Sequence, residues 1–216
     1  MKRNIFISGI MVPAFALSLL GASFPDPPAE PLAPAGAKKA TAVLAGGCYW
    51  GMQGVFEHVK GVTDTTVGFS GGEKKTAEYE VVSGGQTGHA ESVEIVYDPS
   101  VITYGQLLKI YFSVAHDPTT LNRQHNDEGT QYRSEIFYAD DHQKTIAQAY
   151  IQQLNAAKVF RSPIVTKVEA LKAFYRSDDE DHQHYLDRYP TQPYIVAFDL
   201  PLIADLKKTY PEWYKK

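Results

Sequence analysis

The chain has 216 residues and 44% hydrophobic content, enough to bury one ordinary core, and its formal charge of −4 excludes the basic stripe that phosphate neutralisation needs. A single cysteine excludes an internal disulfide framework, a Cys-rich zinc site and a two-cysteine redox motif. Collagen-like, coiled-coil and wholly disordered classes also fail on composition, which leaves a soluble, enzyme-sized domain with no nucleic-acid partner.

Residues 1–23 read as a secretory signal peptide. Lys2 and Arg3 precede an apolar run over 5–20, and the small residues Gly21, Ala22 and Ser23 close it. The run is short for a spanning helix of ~20 apolar residues, so a retained anchor is the lesser alternative. Export, to a periplasm, is the expected localisation. Residues 24–40 carry Pro25, Pro27, Pro28, Pro31 and Pro34 without apolar periodicity, which predicts an extended, solvated linker. The folded domain is expected over 41–216.

Within it, 41–46 reads as a short apolar strand ending in Gly46 and Gly47, and 49–59 as a helix with Tyr49, Met52, Phe56 and Val59 at helical spacing. A β-branched strand follows over 62–69, and a second strand over 90–97 ends at Asp98 and Pro99. Leu107, Leu108, Tyr111 and Phe112 give 104–115 an apolar helical face. The polar loop 116–131 is too long for a mere connection, and loops of that size carry function. A strand over 133–138, a helix over 143–155, a strand over 165–170 and a final helix over 203–208 complete the reading. Helices interleaved with strands predict an α/β fold, a mixed sheet with packed helices and a long irregular C-terminal segment.

Cys48 stands between a strand and a helix start, where unpaired N–H groups and partial positive charge favour a thiolate. Its flanking glycines would let backbone and ligand approach the sulfur. Most free cysteines are small buried hydrophobes, but a free thiol is poorly kept in an oxidising compartment, which points to a nucleophile. In the strand over 90–97, Glu91 shares a face with Val93, Ile95 and Tyr97. It is either a desolvated general acid or a carboxylate that reaches solvent at the strand end. On the residues alone a cysteine acyl hydrolase remains a rival, with His89, His116 or His125 as base, as does an idle binding module. Asp178, Asp179, Asp181, His182 and His184 read as a solvated acidic turn rather than a metal site.

The run Gly46-Gly47-Cys48-Tyr49-Trp50-Gly51 resembles the Gly-Cys-Phe-Trp-Gly signature of peptide methionine sulfoxide reductases of the A class. Further matches are Val67-Gly68-Phe69-Ser70-Gly71-Gly72, Glu78-Tyr79-Glu80-Val81-Val82-Ser83-Gly84 and Thr87-Gly88-His89-Ala90-Glu91. Asn126-Asp127-Glu128-Gly129-Thr130-Gln131-Tyr132-Arg133-Ser134, then His182-Gln183 with Tyr185-Leu186, extend the match to nearly the whole predicted domain.

The resemblance implies a two-layer α/β sandwich and a set of roles. Cys48 would attack the sulfoxide sulfur and Glu91 would protonate its oxygen. Tyr79 and Tyr132 would donate hydrogen bonds to that oxygen, and Asp127 would hold the pocket. Trp50 and Tyr49 would wall the substrate methyl group. The product would be methionine plus a sulfenic acid on Cys48, with a preference for the S epimer and no cofactor or metal.

Three departures stand out. Tyr49 replaces the family's Phe, and His125 stands where the family has Gly. Many relatives carry resolving cysteines near the C-terminus, and this sequence has none. An external thiol, from a thioredoxin-like or glutaredoxin-like protein or a small thiol, would therefore have to reach Cys48. A monomer is expected, acting on oxidised proteins or free methionine sulfoxide.

Overall fold

The computed structural model describes residues 24–177 and 180–216, so the leader expectation for 1–23 lies outside the described residues. Its frame is a six-stranded mixed sheet. The strands are β1 (Ala40–Ala45), β2 (Val62–Ser70), β3 (Ala90–Tyr97), β6 (Glu135–Tyr138), β7 (Lys167–Ala170) and β8 (Phe174–Arg176), in the order β7-β6-β1-β3-β2-β8. Only β6 and β7 run parallel. A two-stranded hairpin, β4 (Arg123–Gln124) with β5 (Asp127–Glu128), lies inside the long polar loop.

Alternation decides which sheet face is covered. Ala42, Leu44, Val67, Phe69, Val93, Ile95 and Ile136 share one large core with the helices. These are α1 (Tyr49–Glu57), α3 (Tyr104–Ile110), α4 (Asp141–Ala156) and α6 (Leu200–Thr209). The hydrophobic cluster on the opposite face is small, Val43, Ala45, Ala90 and Phe137 packed with Leu171 and Phe174. A β-bulge between Val62 and Asp64 resets the alternation of β2, so that Val62, Thr65, Val67 and Phe69 are all buried. The mixed sheet with packed helices is the fold that the sequence predicted.

Helix α3 continues through a π-helical turn (Tyr111–Ala115), which together span the predicted 104–115. The strand expected over 165–170 is β7, begun two residues later. Strand β8, and two short helices, α2 (Tyr79–Val82) and α5 (Tyr185–Arg188), lie where no element was predicted. Each is too short to show a period.

The segment 24–39 is largely exposed, as its prolines predict, but it is bonded to the domain rather than hanging free of it. Tyr150 donates its hydroxyl to the Pro25 carbonyl at 2.6 Å, and Lys109 reaches Asp26 at 2.6 Å. Glu30 accepts the Gly105 N–H and lies 3.2 Å from His142, while Phe24 meets Phe160 edge-on. Prolines keep this strap extended, and its carbonyls and acids find partners on α3 and α4.

Candidate active site

Two strands and one helix head make the centre of the site. In the β1–β3 register Leu44 faces Val93; two residues on along each strand lie Gly46 and Glu91. The chain then turns through Gly47 into Cys48, the N-cap of α1. Gly47 takes a φ of +97°, and a β-carbon there would run into the Gln124 side chain. The space that glycine frees is thus filled by Gln124 of the same chain, not by a ligand, as the sequence reading had it.

No side chain caps α1 at Cys48. The orphan N–H of Tyr49 donates instead to Glu91 Oε2 at 3.1 Å, which ties the strand acid to the helix head. Glu91 is only 3% exposed. The choice left open by its strand position is therefore decided for the buried acid. Burial, reinforced by Asp127, outweighs the Tyr49 N–H and pushes the Glu91 carboxyl up to about 8.

Cys48 keeps part of its surface accessible. Its thiol is nonetheless raised, not lowered as its helix-head position predicted. Desolvation by the surrounding protein is the largest cause, followed by the charges of Glu91 and Asp199. The Trp50 N–H at the helix start pulls the other way and is outweighed.

Phenols surround this pair. Tyr79 heads α2 and Tyr132 closes a 3₁₀ turn (Thr130–Tyr132); both are half-buried, and both are kept protonated by burial first and by Glu91 next. Asp127, on β5, accepts the hydroxyl of Tyr194 from the C-terminal segment. The structure therefore gathers Cys48, Glu91, Tyr79, Tyr132 and Asp127 within one electrostatically coupled cluster.

Trp50 and Tyr49 part company. The Trp50 ring stacks on Tyr185 at 3.8 Å and meets Tyr194 edge-on, forming an aromatic wall. Tyr49 is 1% exposed, and its hydroxyl is hydrogen-bonded to His182 Nδ1 at 2.8 Å. Its hydroxyl is thus spent inside the protein rather than presented at a pocket wall.

The C-terminal segment is fixed by two amides, Gln183 from a matched motif and Gln53 from α1. Gln183 pairs with both the N–H and the carbonyl of Val67, at 3.0 and 2.9 Å. Gln53 accepts the His184 N–H at 2.7 Å and donates to the Thr65 carbonyl. These bonds set His182 against Tyr79 at 4.1 Å and bring Tyr185 over Trp50. Tyr185 lay in a matched motif without an assigned role; Tyr194 and Asp199 carried no sequence signal at all.

Two of the three candidate histidine bases, His89 and His116, are committed elsewhere. His116 is buried, pushed down to about 4 by desolvation, and bonded to the Tyr111 carbonyl and Ser134 hydroxyl. His89 accepts the Gly72 N–H and lies 3.0 Å from the Glu73 carbonyl. His125 stacks on Phe198 at 5.0 Å. His125 also takes a left-handed φ of 49°, a backbone region that favours glycine. His184 pairs with Glu57 and Asp181 with Arg188, while Asp178 and Asp179 lie outside the described residues. Among the described residues no group of three His, Cys, Asp or Glu side chains is placed to hold a metal ion.

A buried acid bonded to the helix head beside the thiol, with His89 and His116 bonded elsewhere, marks an oxidoreductase of the α/β class. A family model for peptide methionine sulfoxide reductases matches residues 40–212, and the chain belongs to that family, as a peptide-methionine (S)-S-oxide reductase of the A class. It is 58% identical over 176 residues to peptide methionine sulfoxide reductase MsrA 2 of Mesorhizobium japonicum, covering 82% of this chain and 90% of that one. A Synechocystis protein of the same description is 46% identical over 205 residues, with 94% and 95% covered. Among solved structures, reduced Mxr1 of Saccharomyces cerevisiae is 35% identical with a TM-score of 0.65, covering 73% of this chain and 89% of that one. Methionine sulfoxide reductase A of Corynebacterium diphtheriae is 37% identical with a TM-score of 0.62, covering 71% and 76%.

Proposed function

We propose that Cys48 reduces methionine S-sulfoxide by direct attack on sulfur, with Glu91 as the acid. The observation that carries this is the buried Glu91 carboxyl, bonded to the Tyr49 N–H one residue beyond the thiol. A sulfoxide sulfur is a poor electrophile until its oxygen is protonated, so thiolate and neutral acid must act on one S–O bond. The Cys48 thiolate forms a bond to sulfur as Glu91 gives its proton to the oxygen. The hydroxyl then passes to Cys48 and the thioether leaves, giving methionine, a Cys48 sulfenic acid and a Glu91 carboxylate.

A neutral Glu91 also removes one of the charges that raise the Cys48 thiol, leaving the Trp50 N–H less opposed. Tyr79 and Tyr132, held as phenols, donate to the developing oxyanion. Trp50, Tyr185 and Tyr194 receive the methyl group, and Asp127 holds Tyr194 in that wall.

The sequence has no second cysteine, so an external thiol reduces the sulfenic acid. A thioredoxin-like or glutaredoxin-like protein, or a small thiol, fits that role. Export through the leader-like residues 1–23 would place this repair of oxidised proteins in the periplasm.

Mixing reduced protein with each epimer of an acetylated methionine sulfoxide, with no thiol present, tests the chemistry. One methionine per Cys48 from the S epimer, with one oxygen gained by the protein in its intact mass, is expected. Absence of both methionine and added oxygen would refute it.

A further inference from the structure

The C-terminal segment brings a second carboxylic acid to the sulfur. Asp199 closes a π-helical turn (Ile195–Asp199) and leads into α6. It is 3% exposed, and its buried Oδ2 has no hydrogen-bond partner among the described residues. Oδ1 lies 2.5 Å from where a β-carbon on Gly51 would sit, so the glycine one turn into α1 is what admits the carboxyl. Asp199 and Cys48 line one cavity of about 10 Å³, close to the room a single water needs, together with Tyr194, His125 and Gln124. Glu91, Tyr79 and Tyr132 do not line it. The two acids therefore do not share one cavity at Cys48.

A buried carboxylate with an orphan oxygen is costly, and the neutral acid is the form that such a site keeps. The titratable groups facing it are Cys48, Asp127, Tyr194 and His125, and among the described residues no Lys or Arg pairs with it. Desolvation, then Asp127, push its carboxyl up to about 7.

We infer that Asp199 is the proton donor for the second half of the cycle, when an external thiol regenerates Cys48. This rests on the sulfenic-acid reading proposed above. The incoming thiolate forms a disulfide bond to Cys48 Sγ as the S–O bond breaks. The bonding pair leaves with oxygen, and Asp199 gives that hydroxide its proton so that water departs. The products are a mixed disulfide, water and the Asp199 carboxylate. A second thiolate then releases Cys48, and Asp199 is reprotonated from solvent. Glu91, already spent in forming the sulfenic acid, does not line this cavity.

The test separates the two half-reactions. Methionine formation without thiol is timed first; the sulfenic form is then mixed with dithiothreitol, and its loss is followed by intact mass. In Asp199→Asn the thiol step should slow at least tenfold more than the methionine-forming step. At constant thiolate the wild-type thiol step should fall as pH rises through about 7, and the variant should lose that fall. Equal slowing of both steps, or of neither, overturns the assignment. Should the variant not fold, a wild-type thiol step that stays flat with pH at constant thiolate overturns it as well. Failure of the wild type to form any sulfenic acid would instead refute the reading on which it rests.

Discussion

Glu91 is a carboxylic acid kept neutral by the strand that carries it. Its face of β3 also bears Val93, Ile95 and Tyr97, and that alternation was readable in the sequence. Its bond to the Tyr49 N–H was not, because strand register and helix entry are set by distant pairing. The reacting pair needs one proton, on Glu91, with Cys48 as thiolate. Acid pH adds a proton to sulfur and alkaline pH removes the one on the carboxyl, so the single-turnover rate should pass through a maximum. Glu91→Gln should lose the alkaline limb and at least a hundredfold in rate, about what a general acid contributes. A folded carboxyl at about 8 holds a proton that the unfolded chain releases near 4, so wild-type stability falls as pH rises between those values. Glu91→Gln should accordingly raise the unfolding free energy at pH 9 by on the order of 1–3 kcal/mol, measured by urea denaturation. A variant no more stable than wild type there would contradict the buried neutral acid. Tyr49→Phe should behave differently, because it removes the buried hydrogen bond between the Tyr49 hydroxyl and His182 Nδ1. Denaturation should show a loss of about 1 kcal/mol, with less than a tenfold fall in kcat/KM for the S epimer.

Elements place these side chains through a few fixed joints. The β1–α1 turn works because Gly47 adopts a left-handed φ and leaves room for Gln124. Gly47→Ala should destabilise by roughly 1–3 kcal/mol, read from the urea midpoint. The C-terminal segment hangs on Gln183, whose two bonds to Val67 carry no periodicity that a sequence could display. That is why strands and long helices were legible while Tyr185, Tyr194 and Asp199 were not placed. Gln183→Ala should speed amide exchange across residues 180–189 and lower kcat/KM, because Tyr185 would lose its register over Trp50. Unchanged exchange there would show that other contacts hold the segment.

At the scale of the whole molecule, the sheet carries its chemistry on one end and its strap on the helices. Proline content alone reads 24–39 as a free tether, since composition does not reveal that Asp26 and Glu30 meet Lys109, Gly105 and His142. Removing residues 24–39 should lower stability by roughly 1–3 kcal/mol while methionine formation per Cys48 persists, because these contacts involve α3 and α4 rather than the site. Loss of the single turnover in that truncated chain would place the strap in the catalytic unit. The central claim is narrower, namely that Glu91 is protonated when substrate arrives. A carbon-13 NMR titration of protein labelled at glutamate carboxyls, with Glu91→Gln to assign the signal, measures this directly. A carboxyl carbon that titrates near 8 is the predicted result. Titration near the ordinary glutamate value of about 4.3 would contradict the account.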